Sequence, residues 1–180
     1  MSDPLIGAMI TAAVAVIGWC VTYFYAKRLE DRRRRVEIRL HHLSQQIEEL
    51  YGPLLSLIEQ IFKGWEVRQE ILEHCECSAE EKAAIKELIW RRYFSPLHTK
   101  IAGLLRTKLY LLEGITLPES FSSYLAHARH EDFRHLLRNE LQVDTSGIPE
   151  RPWPATFHPD VKATLKKLME ERDRGLAQLK

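Results

Sequence analysis

Hydrophobic and polar positions are segregated at the start of this chain and periodic after it. From Leu5 to Ala26 (LIGAMITAAVAVIGWCVTYFYA) no residue is charged. About 22 residues at a 1.5 Å rise match a hydrocarbon core of roughly 30 Å, so residues 1–26 are predicted to form a short tail and a transmembrane helix. Beyond it, Val36, Leu40, Leu43, Ile47, Leu50 and Leu54 recur at spacings of three and four, the pattern of a heptad seam. Residues 27–52 are therefore predicted to continue the helix as an amphipathic stalk. Its seam pairs with copies of itself or with the rest of the chain. Gly52 and Pro53 interrupt it, because Pro53 has no N–H for the Glu49 carbonyl, and a kink is expected there.

The remaining pattern, residues 53–180, reads as helices with clear punctuation. Leu54, Ile58, Ile61, Phe62, Trp65, Ile71 and Leu72 give a helix to about His74. Ser78-Ala79-Glu80-Glu81 is a capping box opening the next. Ser95-Pro96 supplies an N-cap and a first-turn proline for a helix ending near Gly114. Another helix runs from Leu117-Pro118 to about Asn139. Four prolines then fall between Leu141 and Asp160, which predicts an extended loop at 141–160 before a last helix. No stretch alternates like a strand, so the expected fold is all-α: one transmembrane helix, the stalk, and a cytoplasmic bundle of about four or five helices.

Composition changes this picture little, whereas charge distribution orients it. The whole chain carries a net charge of +1 and has a mean hydropathy of -0.28, but residues 27–42 hold seven basic and three acidic groups. Lys27, Arg28, Arg32, Arg33, Arg34 and Arg35 are placed to meet lipid headgroups, with the N-terminus outside and the C-terminal domain in the cytoplasm. Within the span, Gly7, Thr11, Ala15, Gly18 and Thr22 form a stripe of small side chains that would let helices of neighbouring copies approach closely.

The basic stalk, the Leu50-Tyr51-Gly52-Pro53-Leu54 break, the segment Trp90 to Leu97 (WRRYFSPL) and Leu125-Ala126-His127 together resemble a recurrent type of uncharacterised bacterial single-pass membrane protein with a cytoplasmic helical domain. The resemblance covers most of the chain after residue 27 and implies an inner-membrane protein. More distantly, the architecture is similar to membrane-anchored, HEPN-like accessory proteins of RNA-targeting CRISPR loci. That similarity would imply an antiviral or stress effector.

Candidate chemistry is sparse. HEPN ribonucleases carry an Arg and a His separated by four to six residues, where His or Arg assists attack of the ribose 2'-OH and Arg supports the phosphate. Arg129 and His135 fit that spacing, yet it occurs eight times in this chain, and a solvated helix face is the ordinary account of it. His127, Glu131 and His135 lie at i, i+4 and i+8 and could ligate zinc or iron, although Arg134 stands where H-E-x-x-H needs its second His. Cys75 and Cys77 are one residue too close for a metal knuckle and are expected as free thiols. Trp65 and Trp90 are read as core. No cofactor is expected. The expected partners are membrane lipid, further copies of the chain and a possible cytoplasmic protein, with no nucleic acid. The leading expectation is a non-catalytic, self-associating or partner-docking membrane protein. A tethered HEPN-like ribonuclease and a monomeric anchor for a cytoplasmic partner are the alternatives.

Overall fold

The computed structural model describes the backbone of residues 3–112 and 116–179, and the side chains of residues 14–112 and 116–179. Among the described residues six α-helices follow one another: α1 (Asp3–Gln45), α2 (Gly52–His74), α3 (Ala79–Ile89), α4 (Ser95–Thr107), α5 (Glu119–Glu140) and α6 (Phe157–Ala177). No strand occurs among the described residues, and the all-α expectation holds. Helix α4 ends at Thr107, short of the expected Gly114, and a 3-10 turn, Leu109–Leu111, follows it.

The capping box forms as the sequence dictates. Ser78 Oγ accepts from the Glu81 amide at 3.2 Å, and Glu81 Oε2 accepts from the Ser78 amide at 2.8 Å. Between α2 and α3, Cys75 and Cys77 are joined as a disulfide rather than standing as two free thiols.

Pro53 and Pro96 each stand in the first turn of an α-helix, α2 and α4, but neither follows a break in the helical backbone. A π-helical segment, Gln46–Tyr51, joins α1 to α2, and a second, Trp90–Phe94, joins α3 to α4. In each the chain adopts five-residue hydrogen bonding just before a proline: Gly52 N–H donates to the Ile47 carbonyl, and Ser95 N–H to the Trp90 carbonyl. A π turn lets the helix pass a residue with no N–H while remaining helical. Gly52 is needed for this, since a Cβ there would stand 2.7 Å from the Ile47 oxygen. The expected kink at Gly52 and Pro53 is thus a π segment in a continuous helical backbone. Ser95, with helical dihedrals, lies inside a helix and does not cap one.

The seam predicted for the stalk turns inward from Leu40 onward. Leu40, Leu43, Ile47, Leu50 and Leu54 are buried, and Val36 is half-buried. They meet the other bundle helices, with Ile58, Ile101, Leu105, Tyr124, Phe157 and Val161 among the fully buried side chains. Tyr124 and Phe157 stack face to face at 4.2 Å, and Phe121 meets Phe157 edge-on at 5.3 Å, which fixes α5 against α6. Gly175 lets α6 close on α1, where Leu40 fills the space a Cβ would take. Arg39 and Glu171 pair across the same crossing at 3.0 Å.

The membrane expectation is corrected here. Among the described residues no helix is long and apolar enough to cross a membrane. Within α1 the uncharged run ends at Ala26. Lys27, Arg28, Glu30 and Asp31 follow at once. The side chains of residues 5–13 lie outside the described set. The single-pass placement falls with the span, while Lys27, Arg28, Arg32, Arg33, Arg34 and Arg35 project from exposed positions of α1. What α1 presents instead is a helix that leaves the bundle: residues 14–19 and 21–35 are all exposed.

Candidate functional site

Helices α2, α3 and α5 and the proline-rich loop surround a cavity of about 1190 Å³. It is as large as the pockets that hold small organic ligands. Helix α2 contributes Phe62, Trp65 and Arg68, three positions that helical spacing puts on neighbouring turns. Helix α3 contributes Lys82, Lys86 and Glu87 from one stripe, and the π segment after it turns Trp90 inward. Helix α5 supplies His127, Glu131, Arg134, His135 and Arg138. Trp153, fixed between Pro152 and Pro154, comes from the loop.

The inner end is built of stacked rings. His98, only 3% exposed, has its Nδ1 2.9 Å from the Tyr124 hydroxyl. Burial, with the nearby His127 ring as a lesser cause, pulls the His98 imidazole down to about 4. Burial likewise pushes the Tyr124 phenol well above its ordinary range. Both groups are therefore neutral near pH 7. Trp153 meets Tyr124 edge-on at 5.2 Å and His127 at 5.6 Å. Trp90 lies flat on His135, with centroids 4.5 Å apart and planes 9° apart, and His135 Nδ1 is 2.7 Å from Glu87 Oε2.

The charges in the wall are unevenly satisfied. Each of its carboxylates is engaged: Glu66 with Lys63, Glu87 with His135 and Asn139, Glu131 with Arg134, and Glu150 with Arg134. Of the Arg and Lys side chains in the wall, Arg134 alone is ion-paired among the described residues. Arg138 hydrogen-bonds the Thr145 hydroxyl at 3.0 Å. Arg68, Lys82, Lys86 and the Arg151 side chain have no ion pair among the described residues. Arg68 is half-buried, with its guanidinium 5.5 Å from the Trp65 ring and 5.4 Å from Phe94. Burial lowers the pKa of Arg68 from its ordinary value, and its Nε is a buried donor without an acceptor. Trp153 Nε1 is in the same condition.

The structure separates the residues singled out by spacing. Arg129 is exposed, with its guanidinium 5.7 Å from the Phe133 ring, whereas His135 lines the cavity on Trp90. One chain does not bring that pair together. His127, Glu131 and His135 do share the cavity wall, but they are bound elsewhere. His127 Nδ1 is 2.6 Å from the Arg151 carbonyl, and His135 is held by Glu87. Among the described residues no group of three or more His, Cys, Asp or Glu is placed to hold a metal ion. Of the small-residue stripe, Ala15, Gly18 and Thr22 are exposed on α1, with Thr22 Oγ1 donating to the Gly18 carbonyl at 2.8 Å. Gly7 and Thr11 lie outside the described side chains. Trp65, read as core, is exposed at the cavity rim, and Trp90 is half-buried in its wall.

Sequence reasoning did not find Arg68, His98 or Trp153, because the cavity is assembled from segments up to 92 residues apart. The one local signal was Trp153 itself, a large aromatic held between two prolines. Comparison with protein-family models, with curated proteins and with solved structures gives no match to this chain.

Proposed function

We infer that this protein is a non-catalytic assembly protein whose copies join through the projecting half of α1, leaving the helical bundle free to dock other molecules. One observation carries the reading: the exposed stretch Val14–Tyr25 has no polar face. At 100° per residue Val14, Val21 and Tyr25 share one side of the helix, Val16, Trp19 and Tyr23 the opposite side, and Ile17 and Phe24 a third. Ala15, Gly18 and Thr22 complete the circle. A helix that is apolar all round is stable in water only when surrounded, and an exposed apolar surface of this size marks an association site.

The occupant is further copies of the same helix. Each copy offers as much apolar surface as it needs covered, and one neighbour covers only one side, so several must gather. The small side chains of Ala15 and Gly18 permit close approach, since a Cβ added at Gly18 would meet nothing within 4 Å. The separated positions of Arg129 and His135 also favour an assembling role over the nuclease alternative.

Sedimentation velocity of the full chain tests the reading. The native protein is expected to run as a multimer and the Ile17→Glu, Phe24→Glu double variant as a monomer with unchanged helix content. Identical sedimentation of the two proteins would overturn it.

A further inference from the structure

We propose that the cavity between α2, α3 and α5 binds a nucleoside phosphate, with its phosphates on the cationic α2–α3 side and its ring among the tryptophans. The reason begins with charge. Every carboxylate in the wall already has a partner, while Arg68, Lys82 and Lys86 have no ion pair among the described residues. An uncompensated half-buried guanidinium is costly, and a bound anion relieves that cost. Lys82 and Lys86 are one turn apart on α3, and Arg68 faces them from α2, so the three can converge on one anionic group.

The second reason is shape. Three of the four tryptophans, Trp65, Trp90 and Trp153, line this one cavity. Flat aromatic walls beside cations suit a ligand that carries both a planar ring and a phosphate, and inorganic phosphate alone would leave most of about 1190 Å³ unfilled. The buried Trp153 Nε1 and Arg68 Nε are donors without acceptors. No bond is made or broken in this proposal.

The proposal stands apart from self-association, so each can fail alone. Its test is titration of the full chain with ADP, followed by tryptophan fluorescence and calorimetry, with pyrophosphate, adenosine and a short single-stranded oligonucleotide as comparisons. ADP is expected to saturate one site per chain and to bind at least tenfold more tightly than pyrophosphate or adenosine. Lys82→Gln with Lys86→Gln, on an α3 face that buries no side chain, is expected to weaken ADP at least tenfold without changing the helix content. Trp153→Phe, which keeps a ring but removes the donor, is expected to weaken it less. Absence of ADP binding at millimolar concentration would overturn the proposal. So would equal affinity for pyrophosphate, indifference to the lysine substitutions, or tighter binding of the oligonucleotide than of ADP.

Discussion

Two buried polar residues set how the bundle responds to solvent conditions. His98 has an unfolded pKa near 6.5 and a folded value of about 4, because burial disfavours the imidazolium. The unfolded chain therefore binds a proton that the folded chain refuses. The associated stability is fully present above pH 6.5 and is lost as pH falls toward 4, by about 3 kcal/mol in all. Asp132 acts in the opposite sense, since burial raises its carboxyl pKa. The comparison that isolates His98 is urea unfolding of native protein and His98→Gln at pH 7.5 and 4.5. The variant is expected to lose stability at pH 7.5 and to show the flatter acid response; parallel responses would contradict the account. Gln46 is fully buried, and its Nε2 donates to the Leu111 carbonyl at 2.7 Å. Gln46→Leu leaves that carbonyl unmatched and is expected to cost about 1–3 kcal/mol in the same urea assay.

At the level of elements, glycines separate close packing from open surface. Gly175→Val would drive a side chain into Leu40 where α6 crosses α1, and is expected to destabilise by about 1–3 kcal/mol. Gly103, inside α4, has nothing within 4 Å of an added Cβ. Gly103→Ala is expected to stabilise by about 0.5–1 kcal/mol, so thermal unfolding should move the two variants in opposite directions. Helix content and most boundaries were legible in the sequence, because the Ser78 capping box and the 141–160 prolines act locally. The links at Pro53 and Pro96 were not. A proline reports a missing N–H, but whether the chain breaks or shifts to π bonding depends on what packs around it. Burial of Leu40 and Leu50 in the bundle keeps the helix running. On α5 the apolar side chains Phe133 and Leu136 remain exposed, while Ala128 is buried. Spacing names a face, and only the neighbouring helices decide its centre.

For the whole molecule, the same separation of local from long-range signals explains the site. Arg129 and His135 were visible because they are near in sequence, yet the fold turns them toward different surroundings. Arg68, Lys82 and Trp153 were invisible because only tertiary packing gathers them. The uncharged opening stretch was legible as a helix that must be covered, and its length suggested lipid. No helix among the described residues is long and apolar enough to cross a membrane, and the apolar surface of α1 is assigned instead to contact between copies. That assignment predicts concentration dependence: dilution should separate copies and lower the thermal midpoint, since the assembled state is favoured by mass action.

The central claim is tested most directly by the particle mass of the full chain, measured by light scattering across a hundredfold dilution. The account predicts an integral multiple of 21.0 kDa at high concentration, with three or more copies because α1 is apolar on every side. A particle of 21.0 kDa at every concentration would contradict it.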